Sequence, residues 1–512
     1  MSTRRAAGAL CMALIAALPA AAQAPDPADL SDLPEMAPPD WLSDTITRPH
    51  ANVATSALPP EITVMPLGAV EIEAIGLLPP AITGLPRDLW GASETETLAR
   101  LLRAQPVQGL PAVQAFTETL ALAELDPPAD ADPTRAALFL ARLDLLLARG
   151  ALDPAQALIE RASPRNPEVF RRWFDIALLN GHPERACTAM AANPDIAPTL
   201  PARIFCLARS GDWSAAALTL DTGEALGRIT EAEGDLIARF LDPELFEGEG
   251  QLPPDPALTP LTFEMRAAIG ERPATAGLPL AFAHADLSDL AGWRAQLDAA
   301  ERLIRSGAIE PAQWLDIYTS RVPSASGGVW DRVAALQRFD AAILAGDTAT
   351  TTAHLAPAWE AMQAAGLEIA FAEIYADLLL RLPLTGEAGL LARRIALLSS
   401  RYETVARGAV AQSDAERFAF AIATGAAAAP PPGAGMLETA IAAAFTQAPP
   451  DHRYAWFVQN DRLGEALLRA ALVLSNPGRD PQDLTDALAL YRAVGLETVA
   501  RRAALQLVLT GG

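Results

Sequence analysis

TRAALFLARLDLLLARG (134–150), PEVFRRWFDIALLNG (167–181) and PARIFCLARSG (201–211) are three apolar stretches, each closed by a glycine. In the first, Ala137, Leu138, Ala141, Leu145 and Leu146 recur at helical spacing. Val169, Phe170, Trp173, Phe174 and Ala177 do so in the second, and Ile204, Phe205, Leu207 and Ala208 in the third. Such recurrence every three or four residues predicts amphipathic helices. Gly150, Gly181 and Gly211 stand where a left-handed C-terminal cap is wanted. A second, Ala-rich helix follows each glycine, beginning near Pro154, Pro183 and Trp213. The two prolines fall in a first turn, where the missing N–H costs nothing. The glycines are 31 and 30 residues apart, a helix-turn-helix period.

Composition extends this pattern to the rest of the chain. Of 512 residues, 51% are hydrophobic but only 6% aromatic, and much of the apolar fraction is Ala and Leu, the best apolar helix formers. The 43 prolines argue for many short helices over one long bundle. A chain of this length exceeds one compact core. The expected order is a signal peptide at 1–22, a disordered Pro/Asp/Ala linker at 23–40 and an extended Pro-rich arm at 41–90. A helical-repeat region at 91–241 and an acidic connector at 242–260 come next. A central helical region at 261–423, an Ala/Pro/Gly linker at 424–435 and a C-terminal helical region at 436–512 complete it. The arm carries strand-like alternation at 61–65 and 70–75 between Pro and Gly residues. The fold class expected is therefore all-α: an α-solenoid of helix-turn-helix repeats with an extended, partly β N-terminal arm.

The elements Gly150 with Ala155, Gly181 with Ala186 and Gly211 with Ala216 share the form Gly-x-x-x-x-Ala, in which a small residue lets paired helices approach. On these residues the chain resembles the tetratricopeptide-like helical-repeat proteins. The resemblance implies stacked helix pairs and an extended partner-binding surface. Residues 134–240 are also similar in style to the superhelical region of periplasmic soluble lytic transglycosylases. Here, no Glu-Ser motif leading into a glutamine-rich helix follows the array.

The N-terminus predicts export. Arg4 and Arg5 precede an apolar run from Ala6 to Ala17, then Ala20-Ala21-Ala22, the order of a secretory signal with cleavage between Ala22 and Gln23. That run is shorter than the roughly 18 residues of a spanning helix. Cys11 follows Leu10, which does not suit a lipid anchor. In an exported chain the remaining pair, Cys187 and Cys206, predicts a disulfide. They are nearly equidistant from the turn at 193–198, so in an antiparallel helix pair they face each other at the roughly 5.5 Å between Cα atoms that a bridge needs.

The charge and the missing motifs narrow the function. The formal net charge is −23 and every cationic side chain apart from histidine is arginine. Phosphate backbones and anionic lipid headgroups repel such a chain, so neither nucleic acid nor direct membrane insertion is expected. His50, His182, His284, His354 and His452 fall at no zinc-ligand spacing. No G-x-S-x-G elbow or phosphate loop is present. Asp126, Asp130 and Asp132 cluster in a Pro-rich loop without the calcium-loop pattern. No catalytic residue, metal site or cofactor is expected. One segment stands out as a possible ligand loop: Arg321, Ser324, Ser326, Gly327, Gly328, Trp330 and Arg332 run into a helix whose N–H groups suit an anion. The function expected is a non-catalytic periplasmic scaffold for a protein partner in the cell envelope. The alternative is cell-wall glycan binding or turnover, with peptidoglycan as the partner.

Overall fold

A computed structural model of the chain describes residues 39–43, 71–132, 134–162, 166–446, 453–476 and 480–511. Helices carry the fold. First come α1 (Pro80–Thr83), α2 (Thr95–Arg103) and α3 (Pro111–Leu122). The three glycine-closed stretches are α4 (Ala137–Ala148), α6 (Pro167–Leu179) and α8 (Leu200–Arg209). Their followers are α5 (Leu152–Ala162), α7 (Glu184–Ala192) and α9 (Trp213–Ala225). Gly150, Gly181 and Gly211 take φ of 74°, 73° and 87°. The residue after each glycine donates its N–H five residues back, Ala151 to Leu146, His182 to Ala177 and Asp212 to Leu207. These bonds satisfy carbonyls that a helix end leaves open. Ala155, Ala186 and Ala216 are fully buried between the helices of their pairs.

From α4 to α9 each helix packs on the next, and then the chain turns back. After α10 (Glu231–Leu241) and the 242–260 connector, α11 (Pro260–Ala268) packs against both α10 and α6. The 3-10 segment Leu280–Leu287 lies on α4 and α6. Its His284 ring Nε2 sits 2.6 Å from the Gly150 carbonyl oxygen, and burial holds the imidazole below its usual range.

The central helices are α12 (Trp293–Ser306), α13 (Pro311–Thr319), α14 (Val329–Leu344), α15 (Thr348–Gln363), α16 (Glu368–Arg381), α17 (Gly386–Leu397), α18 (Tyr402–Gly408) and α19 (Asp414–Thr424). The core shared by α12–α17 includes the aromatics Trp314, Tyr318, Phe339, Trp359, Phe371 and Tyr375. The last group is α20 (Met436–Thr446), α21 (Ala455–Gln459), α22 (Leu463–Ser475), α23 (Pro481–Ala493) and α24 (Glu497–Thr510). No helix among the described residues is long and apolar enough to cross a membrane.

The described part of the 41–90 arm differs from the strand-like expectation. Residues 61–70 lie outside the described residues, and Ile72–Ala74 is a 3-10 turn. The reason is Glu73. Its buried carboxylate accepts the N–H groups of Leu138 and Phe139 and so caps α4, where backbone donors have no partner of their own. Arg142, one turn along, donates to the carbonyl oxygens of Ala121, Glu73 and Ala123 at 2.7, 3.2 and 2.9 Å. Burial pulls its guanidinium down to about 10. An isolated parallel bridge, Leu78 with Ala123, is the only strand-type pairing among the described residues. Of the linker expected over 23–40, only Pro39 and Asp40 lie among the described residues, and Pro39 accepts a turn hydrogen bond from Leu42.

The last helices cover the first. Phe116 of α3 meets Tyr491 of α23 edge-on, with centroids 5.2 Å apart. Gln105 donates to the Leu468 carbonyl, and Gln506 accepts the Ala112 N–H. Trp90 is 1% exposed beneath the start of α22. This contact needs Gly464, where an added Cβ would stand 2.4 Å from the Trp90 ring and 3.0 Å from the Leu89 oxygen. Neither neighbour has room to move. We predict that Gly464→Ala destabilises the protein by ~1–3 kcal/mol, the usual cost of overpacking. Urea denaturation checks this, and a midpoint equal to the wild type would mean that α22 does not seat on Trp90.

Candidate peptide-docking groove

Pro39–Ser43 is a short turn of chain held on the helical body 28 residues before the next described segment begins at Glu71. Trp41, Leu42 and Ser43 are 6%, 4% and 2% exposed. The Trp41 ring packs edge-on against Phe282, with centroids 5.6 Å apart, and Phe282 in turn rests on Phe263 of α11. Ser43 supplies the polar contacts. Its N–H and hydroxyl donate to the two carboxylate oxygens of Asp175 in α6, at 2.9 and 2.6 Å. Its carbonyl accepts from Arg171 at 3.0 Å. A cavity of about 240 Å³ remains beside the docked turn, walled by Asp40 and Trp41, by Arg103 and Asp144, and by Pro279 and Leu280.

The groove walls are braced by ion pairs. Asp144 of α4 accepts from Arg103 of α2 at 2.9 Å and from Arg172 of α6 at 2.7 Å. Arg171 and Arg172 also reach Glu168, one turn back along α6. Asp175 has no such partner among the described residues: its hydrogen bonds run to Ser43 alone. Burial pushes its carboxyl up to about 7, against the opposing pull of the Ser43 donors and of the Arg171 and Arg172 charges.

The expected site residues fall elsewhere. Cys187 of α7 and Cys206 of α8 are bonded, with Cα atoms 5.1 Å apart across the turn Pro194–Ile196. Ala22 and Gln23 lie outside the described residues. The 321–332 loop separates into two parts. Arg332 is drawn inward, donating to Glu301 at 2.7 Å and to the Tyr318 hydroxyl at 3.2 Å. Trp330 packs on Trp293. Arg321, Ser324, Ser326, Gly327 and Gly328 stay exposed. The Gly327 N–H, expected to face an anion, donates at 3.0 Å to the chain's own Asp331. The aspartates of the 126–132 loop each accept from a partner within the chain: Asp126 from Arg87, Asp130 from Thr95 and Asp132 from Thr134.

Asp175, Ser43 and Arg171 were not among the expected site residues. Their signal in the sequence is slight: one acid inside the apolar run Trp173–Leu179, and one apolar pair, Trp41-Leu42, inside a Pro- and Asp-rich stretch. No protein-family model, curated protein or solved structure matches this chain.

The position of Asp175 has a pH consequence. An unfolded aspartate titrates near 3.9, so the folded protein holds one more proton than the unfolded chain between about pH 4 and 7. The stability from this group is fully present below the unfolded value and is lost as pH rises through about 7. The slope is up to ~1.4 kcal/mol per pH unit. We predict that Asp175→Asn removes this component. Between pH 5 and 7 the wild type should lose more stability to rising pH than the variant in urea denaturation, and parallel profiles would contradict it.

Proposed function

We propose that this protein is a non-catalytic, periplasmic scaffold built as a helical-repeat solenoid, which binds partner proteins in the cell envelope. One observation carries the proposal. The helical body already holds a short peptide in a groove, by an aromatic anchor, a carbonyl clamp and a buried carboxylate that reads a hydroxyl. Aromatic anchors in desolvated pockets are the usual centres of protein-protein interfaces. The Gly-capped pairs α4–α9 support the solenoid, since each presents the same helix-turn-helix unit to its neighbour. The Arg-led apolar N-terminus supports export.

Crosslinking and affinity purification of the mature protein from a periplasmic extract, followed by mass spectrometry, tests the proposal. The expected outcome is one reproducible protein partner at near-stoichiometric yield. Retention on cell wall with no protein partner would overturn it in favour of peptidoglycan binding.

A further inference from the structure

We propose that the α4–α6 groove is an exchangeable peptide site whose partner class is a proline-led turn of the form Pro-x-Trp-Leu-Ser on another protein, and that Pro39–Ser43 occupies it in cis as a competitor. This rests on the scaffold proposal and names the chemistry that the groove selects.

The clearest sign is where Asp175 finds its hydrogen bonds. A fully buried carboxylate is costly unless donors reach it, and Asp175 is 0% exposed. An apolar residue of similar size would serve the folding of α6 as well or better. Its hydrogen-bonding partner among the described residues is Ser43, which belongs to no helix and lies 132 positions away in sequence. The rest of the wall is self-sufficient. Arg172 is paired with Asp144, Arg171 also holds Glu168, and Phe282 rests on Phe263. Withdrawing the turn therefore leaves the body's own contacts intact and frees three ligand-directed features: the Phe282 face, the Arg171 donor and the Asp175 carboxylate.

These features define the ligand. Phe282 and its surroundings take an indole. Asp175 takes a residue that offers two donors from adjacent atoms, its backbone N–H and a β-hydroxyl. Serine does so and alanine does not. A phosphorylated serine is excluded, since its dianion would face a carboxylate. The turn bond from the Leu42 N–H to the Pro39 carbonyl sets the Trp and Ser side chains at the spacing the groove requires. Proline lowers the ordering cost of such a turn.

A cis segment competes at the high effective concentration of a tethered ligand, so the test vacates the groove first. The full mature chain is prepared as wild type, as Trp41→Ala/Ser43→Ala and as Ser43→Asp. The last places a carboxylate against Asp175 and expels the turn while leaving every body side chain in place. The probe is a fluorescein-labelled peptide of residues 36–46, followed by anisotropy at pH 8. Both vacated chains should bind it with a Kd of ~10–100 μM, at least about tenfold tighter than the wild type. Adding Asp175→Ala to the Ser43→Asp chain should abolish binding, and the peptide phosphorylated at its serine should bind at least about tenfold more weakly. Absence of binding to vacated chains whose circular dichroism matches the wild type would overturn the proposal. So would binding that survives Asp175→Ala. Failure of the scaffold proposal reads differently: the peptide would bind while the periplasmic extract yields no protein partner.

Discussion

Asp144 ties three helices together. It stands on α4, 2% exposed, and accepts one arginine from α2 and another from α6. A buried pair of this kind adds little net stability over an apolar contact, but losing one partner costs ~3–5 kcal/mol because a charge is then left buried. The helices are thus held to a single relative placement. On the α2 side, that placement sets Trp90 and Gln105 under α22 and lets the last helices cover the first. On the α6 side, it aims Asp175 and Arg171 at the turn of chain that carries Ser43. Glu73 and Arg142 fix the same helix to what precedes it, Glu73 accepting its open N–H groups and Arg142 donating to the carbonyls that end α3. One helix with several polar anchors therefore connects the covering of the first helices to the groove.

The contacts also explain how the helix order departs from nearest-neighbour stacking. In a simple repeat array each unit touches only the next. Here α11 returns to α6, Leu280–Leu287 returns to α4, and α24 reaches α3. Each return covers an apolar flank that a linear stack would leave to water. The first return also builds the groove, because Phe263 and Phe282 arrive on the face of α6 that presents Asp175. The acidic 242–260 connector joins α10 to α11, which contacts both α10 and α6.

Much of the helical skeleton was legible in the sequence because its determinants are local. Gly150, Gly181 and Gly211 mark helix ends through their own backbone conformation, and Cys187 and Cys206 are placed by symmetry about a nearby turn. The groove was hidden because its determinants are not local. Asp175 looks like one polar position within the apolar run Trp173–Leu179, and nothing near it in sequence points to Ser43. The alternation at 70–75 misled because Glu73 turns inward to cap α4 and cannot serve as the exposed side of a strand. In the 321–332 loop the sequence showed the glycines and arginines, but not that Asp331 accepts the Gly327 N–H and Glu301 accepts from Arg332.

Pro39–Ser43 acts as a ligand of the body, bound in the intact protein and separable from its folding. Hydrogen–deuterium exchange on the full chain, wild type against Asp175→Ala, tests this most directly. The Leu42 and Ser43 amides, hydrogen-bonded to Pro39 and Asp175, should be slowed by about a hundredfold or more in the wild type and exchange at free-chain rates in the variant, with α4 and α6 unchanged. Free-chain exchange of these two amides in the wild type, or loss of their protection only together with that of α6, would show that the turn is not a separable ligand.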